Sequence, residues 1–166
     1  MDLMKKINVL LIATLLSCTP WAMATKPVAA QLSHYINTHS QEQLDLLQQL
    51  VNINSGTTNL TGIHQVGELL RPQFKQLGFE TQWLDLPKTM QRSGTLRAQR
   101  QGHSGKRLLL IAHLDTVFAK ESPFQHFAHQ GDFATGPGVI DGKGGIVHGC
   151  LNFNFRLDFN EVRQEF

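Results

Sequence analysis

A short, unbroken apolar run constrains the fold more than any other segment: positions 108–112 read Leu-Leu-Leu-Ile-Ala. It lacks the alternation of a strand with one solvated face, and it is shorter than a typical globular helix. Such runs are typical of strands that are buried on both faces within a sheet covered by helices. The sequence therefore predicts an α/β protein with a central, mostly parallel sheet flanked by helices.

The segments before this run have helix and strand patterns of their own. A Ser-x-x-Gln capping box at residues 40–43 predicts a helix that begins there and extends to residue 51. Apolar residues spaced three and four apart predict a second helix over 62–77, with Gly78 just past its C-terminal end. Alternating residues predict strands over 79–86 and 95–100.

Composition and charge exclude several classes of protein. The chain has 166 residues, of which 41% are hydrophobic and 17% charged, as in an ordinary globular protein. Its formal net charge is only +2 and no stretch is rich in Lys or Arg, so a nucleic-acid partner is not expected. Two cysteines cannot form a disulfide framework.

The N-terminus has the pattern of a signal peptide. Two lysines at positions 5–6 precede an apolar stretch over 7–16, and Ala-Met-Ala at 22–24 is a small-x-small cleavage site. We expect cleavage after Ala24 and a periplasmic or secreted mature chain without a stable membrane anchor. Lipidation at Cys18 is the less favoured alternative, because a bulky leucine stands in the box before it.

Two segments contain the candidate chemistry. His113 and Asp115 follow the apolar run directly, at the strand end where ligands collect in open α/β sheets. Asp141 stands in the middle of a glycine-dense loop over 136–145. Imidazole and carboxylate groups are zinc ligands, so a shared metal site is one interpretation. A surface His–carboxylate pair and a solvated turn with a helix-capping aspartate is the other.

Four ordered motifs resemble the N-terminal part of the M20 metallopeptidases, in particular the glutamate carboxypeptidase branch. They are LVNINSGT at 50–57, HLDTVF at 113–118, SPF at 122–124 and GPGVIDGKGG at 136–145. The resemblance extends from about Gln41 to Gly145. It implies that His113 is a ligand of one Zn²⁺, that Asp141 bridges two Zn²⁺ ions, and that Asp115 is the catalytic-site acid that orients them.

The same resemblance implies a reaction and a substrate class. In that family a zinc-bound water, deprotonated by a glutamate, attacks an amide carbonyl. The substrates of that branch are small peptides or acyl-amino acids that end in glutamate. Residues 146–166 contain no Glu-Glu pair to supply the general base and the next ligand. Residues 25–145 are thus expected to be the N-terminal part of a truncated catalytic domain without its dimerisation domain, with 146–166 an atypical tail that alternates like a strand over 151–159.

Three functions remain open at this point. The first is a fragment of a zinc exopeptidase that is inactive as this chain. The second is a non-enzymatic remnant with at most weak metal binding, and the third is a fragment of an N-acyl amino acid deacylase. His126 and His129 are expected to be solvated surface residues, and His148 with Cys150 is a disfavoured metal pair.

Overall fold

The computed structural model describes residues 28–104 and 106–150. The chain divides into two compact units, 1–31 and 32–166, and the elements discussed below belong to the second unit except for the first few residues of the first helix. The predicted signal peptide over 1–24, the possible lipidation site at Cys18 and the alternating tail over 151–159 lie outside the described residues.

Helix α1 spans Val28–Val51 and begins well before the predicted start at Ser40. The predicted start is wrong because Ser40 does not cap a helix. Its hydroxyl donates a hydrogen bond of 3.2 Å to the backbone carbonyl of Asn37, inside the helix. The C-terminal part of α1 supplies apolar side chains to the core, with Leu50 and Val51 fully buried.

Helix α2 spans Leu60–Gln76, close to its predicted bounds. Asn59 caps its N-terminus, since its side-chain oxygen accepts a hydrogen bond of 3.2 Å from the Gly62 N–H. Gly78 ends it as predicted: its φ of +74° is a left-handed conformation, and its N–H donates 2.9 Å to the carbonyl of Lys75.

The strands form two short antiparallel pairs. Strands β1 (Glu80–Leu84) and β2 (Thr95–Gln99) pair with each other, as do β3 (Ala128–Gln130) and β4 (Phe133–Thr135). A 3₁₀ turn over Lys88–Met90 lies between β1 and β2. The two strands predicted before the apolar run are confirmed in position, and the described fold mixes helix with strand.

A third helix, α3, covers residues 142–150, up to the end of the described range. It continues across Gly145, so the first residues of the predicted atypical tail are part of the packed structure. One buried cluster joins the three helices, and its members are Leu46, Leu50, Val66, Leu70, Leu77, Ile146, Val147 and Cys150. This core holds α3, which directly follows Asp141 of the glycine-dense loop, against α1 and α2.

The apolar run at 108–112 departs from its prediction. None of these residues is in a strand, and Leu109 and Ile111 are 80% and 87% exposed. The predicted buried central strand is therefore not present among the described residues, where no parallel sheet forms. A strand of that kind needs neighbouring strands at its edges and helices on its faces, and the described strands pair only in short hairpins. The parallel contact that is present is an isolated bridge between Gly56 and Thr116.

Within residues 28–104 and 106–150, no helix combines the length and the hydropathy that crossing a membrane requires.

Candidate metal centre

The candidate site is built where the chain leaves the exposed apolar run. The Thr116 N–H donates a hydrogen bond of 2.8 Å to the carbonyl of Ser55. The Thr57 N–H donates one of 3.1 Å to the carbonyl of Thr116. These two hydrogen bonds hold residues 55–57 beside 113–116. The short parallel bridge therefore does locally what a full strand was expected to do, because it fixes the backbone next to His113 and Asp115.

Asp115 is held from two directions. One carboxylate oxygen, Oδ2, accepts a hydrogen bond of 2.6 Å from the hydroxyl of Thr57. The other, Oδ1, lies 3.3 Å from Nδ1 of His113. The same His113 Nδ1 is 2.9 Å from the backbone carbonyl of Asp115. A proton on Nδ1 satisfies these oxygens, so in the neutral imidazole the lone pair lies on Nε2, on the far side of the ring.

The glycine-dense loop places Asp141 opposite that nitrogen. Gly138 has a φ of +84°, a conformation that glycine tolerates. The Gly144 N–H donates hydrogen bonds of 3.0 Å to the carbonyls of both Gly138 and Asp141. These two bonds close the loop onto the first turn of α3. The Asp141 carboxylate also accepts a hydrogen bond of 2.8 Å from the Gly142 N–H, so Asp141 occupies the N-terminal end of the helix.

The side chains of His113 and Asp141 are in direct contact. Nε2 of His113 lies 3.2 Å from Oδ1 of Asp141. Two ligands that each lie about 2.0–2.1 Å from one tetrahedral Zn²⁺ are roughly 3.4 Å apart, so this separation suits a shared ion as well as a hydrogen bond. Both side chains are accessible, at 50% and 82% relative exposure. The pair therefore fits two positions of a zinc coordination shell.

The charges of the pair reinforce each other. The pKa of His113 is raised above 6.5, first by the hydrogen bond with the Asp115 backbone carbonyl and then by the Asp141 carboxylate. The pKa of Asp141 is lowered below 3.8, first by the Gly142 N–H and then by His113. Both shifts favour an imidazolium paired with a carboxylate, so a metal ion has to displace a proton from His113.

Within the described residues, no further side chain completes a metal site with this pair. Among the residues that the structure describes, no group of three or more His, Cys, Asp or Glu side chains could hold a metal ion. His126 and His129 are exposed, as expected. Cys150 is buried in the core, and burial raises the pKa of its thiol to about 11, which disfavours the thiolate that metals bind.

Sequence reasoning missed two residues that support the site, Thr57 and Lys143. Thr57 holds the carboxylate of Asp115. Lys143 is fully buried, and its Nζ donates 2.9 Å to the backbone carbonyl of Ile53. Burial lowers the pKa of Lys143 to about 8. A lysine among glycines has the sequence pattern of a solvated turn. Nothing in the neighbouring sequence therefore indicates that Lys143 is buried.

The chain is similar to carboxypeptidase G2 from Pseudomonas sp. (strain RS-16). The two sequences are 38% identical over 109 residues, which cover 61% of this chain and 25% of that protein. The chain thus spans about a quarter of the length of this relative. No protein-family model matches the chain. The similarity supports a carboxypeptidase-type relationship, in agreement with the resemblance of the motifs.

Proposed function

We propose that this chain is the N-terminal part of a zinc-dependent exopeptidase of the M20 type, of the glutamate carboxypeptidase branch. Its reaction is hydrolysis of a C-terminal amide bond in a small peptide or acyl-amino acid. One observation supports this most: two residues of zinc-ligand type, 28 positions apart, lie 3.2 Å from each other, in a chain similar to a carboxypeptidase.

The residues of the site have distinct roles in this proposal. His113, through Nε2, and the Asp141 carboxylate would hold the metal. Asp115 keeps the proton of His113 on Nδ1, so that Nε2 faces the metal. When bound, zinc supplies a nucleophilic water and polarises the scissile carbonyl.

The proposal also includes a larger sheet. We propose that in the complete catalytic domain residues 108–112 form a central strand of a mostly parallel sheet. That arrangement buries both faces of a run whose apolar residues are now exposed. It also places His113 and Asp115 at the carboxyl end of a sheet strand, where catalytic groups of α/β proteins collect.

The chain by itself is proposed to be inactive. A catalytic zinc site usually has three protein ligands, and the described residues bring two together. The same observation favours the second candidate function, a non-enzymatic remnant that binds a metal weakly. In both cases we propose that residues 1–24 are a signal peptide for a periplasmic or secreted location. We further propose that 25–145 belong to the catalytic domain and that 146–166 are the tail.

Calorimetric titration with Zn²⁺ tests the site directly. We expect the wild-type chain to bind Zn²⁺, and His113→Ala and Asp141→Asn each to weaken binding by tenfold or more. His129→Ala is the matched control, because it removes an exposed imidazole outside the site. Equal affinity of all four proteins would remove the metal site from the proposal.

A second assay tests the proposed inactivity of the chain. The purified chain is incubated with a glutamate-terminated acyl substrate, with and without Zn²⁺. We expect no zinc-dependent turnover. Turnover that disappears in His113→Ala would contradict the inactivity of the chain and would establish it as a hydrolase in its own right.

A further inference from the structure

Lys143 is a buried cation that is not a candidate metal ligand. Among the described residues it is the one charged side chain that is buried, with no exposed surface. Its Nζ donates a hydrogen bond of 2.9 Å to the backbone carbonyl of Ile53. Burying an ammonium group with so few partners is costly, so its position calls for a compensating role.

The path of the Lys143 side chain places it beneath the glycine-dense loop. A Cβ at Gly138 would lie 3.2 Å from both Cγ and Cδ of Lys143, and 3.3 Å from Cγ2 of Thr116. The aliphatic stem thus passes between the loop and the residues that follow His113. Since Lys143 is two residues after Asp141 in the first turn of α3, its hydrogen bond ties the metal-ligand end of that helix to Ile53.

The segment that accepts this hydrogen bond also reaches the other half of the site. Four residues after Ile53, the hydroxyl of Thr57 donates 2.6 Å to the carboxylate of Asp115. The Thr57 N–H donates 3.1 Å to the carbonyl of Thr116. Residues 53–57 are therefore bonded at one end to the helix of Asp141 and at the other to the neighbour of His113.

We propose that residues 53–57 are a brace that sets the separation of His113 and Asp141, with Lys143 and Thr57 as its positioning residues. The inference rests on the proposed function, because that function assigns a metal ion to the pair. Neither residue contacts the ion. Lys143 faces a backbone carbonyl in the interior, and Thr57 acts through Asp115. Supporting contacts of this kind typically change metal affinity by about 10- to 100-fold.

The first test compares the Zn²⁺ affinities of variants under conditions in which each of them is folded. Lys143→Met keeps the aliphatic stem and removes the hydrogen bond, and Thr57→Val keeps the shape and removes the hydroxyl. We expect each variant to bind Zn²⁺ about tenfold more weakly, and the double variant to lose less than the product of the two effects. Leu70→Ala, in the core and away from the brace, and the exposed Lys120→Met are the controls and should keep wild-type affinity.

Amide hydrogen exchange of the metal-free protein is the second test, and it separates this inference from the proposed function. Lys143→Met should accelerate exchange at Thr57 and Thr116, whose amides form the bridge, and leave Val66 in α2 unchanged. If the wild type binds no Zn²⁺, the proposed function fails and exchange alone decides on the brace.

Three results would overturn the brace. The first is an affinity loss in Leu70→Ala as large as that in Lys143→Met. The second is wild-type affinity in Thr57→Val, which also decides the matter if Lys143→Met does not fold. The third is unchanged exchange at Thr57 and Thr116 in both brace variants.

Discussion

Nε2 of His113 lies 3.2 Å from Oδ1 of Asp141, and this contact joins the end of the exposed apolar run to the first turn of α3. The opposite ring nitrogen of His113 faces the backbone carbonyl of Asp115 at 2.9 Å. The imidazole is thus oriented by one aspartate and presented to another. Nε2 and Oδ1 are already as far apart as two ligands of one Zn²⁺ ion. Binding a metal there therefore requires His113 to lose a proton, and little movement of the chain.

Zn²⁺ affinity should depend on pH through His113. Its pKa is raised above 6.5, mainly by the Asp115 backbone carbonyl, and only the neutral imidazole binds a metal. Affinity should fall by about tenfold per pH unit below that pKa and level off above it. Calorimetry between roughly pH 5.5 and 8 measures the profile. A flat profile, or a midpoint below 6.5, would contradict the prediction.

The buried amine of Lys143 should make stability depend on pH at the alkaline end. Burial lowers its pKa from 10.5 to about 8 in the folded state, so between these values the unfolded chain binds more protons. The free energy of unfolding should therefore rise with pH in this window, by about 2 kcal/mol near pH 10 relative to Lys143→Met. Urea denaturation of both proteins at several pH values measures the difference. A constant difference from about pH 7 to 10 would show that Lys143 does not titrate as described.

A side chain at Gly142 should disturb His113. A Cβ there would lie 2.9 Å from Cε1 of His113 and 3.0 Å from its carbonyl oxygen, so one of the two residues has to move. We expect Gly142→Ala to weaken Zn²⁺ binding by roughly the tenfold or more typical of a disturbed supporting contact. Gly145→Ala is the control, because a Cβ at Gly145 meets nothing within 4 Å. Calorimetry should separate the two variants; equal affinities would mean that His113 tolerates the displacement.

The exposed apolar run should promote self-association. Leu109 and Ile111 are 80% and 87% exposed, and the backbone around them is free of strand pairing in the described structure. Unpaired, apolar segments of this kind are sites of aggregation. The double variant Leu109→Lys/Ile111→Lys should scatter less light in solution than the wild type. It should also bind less of a hydrophobic fluorescent dye. Phe133→Lys, which charges another exposed position, should change both much less. The reverse order would place the associating surface elsewhere.

Local features were predictable because their physical causes lie within a few residues. The end of α2 at Gly78 follows from a left-handed glycine, and the strands 80–84 and 95–99 follow from alternation. The start of α1 was misplaced because a Ser40 hydroxyl that bonds Asn37 inside a helix has the same sequence pattern as a cap. Local pattern thus locates elements better than it locates their ends.

The sequence by itself determined the positions of α2 and the first hairpin, and it singled out His113, Asp115 and Asp141. Tertiary structure alone decided that residues 108–112 stand exposed, since burial depends on neighbours that a run of apolar letters does not specify. It also decided that Lys143 bonds Ile53 across 90 positions and that Thr57 bonds Asp115 across 58. Contacts over such separations depend on the path of the whole chain, and no local propensity encodes them.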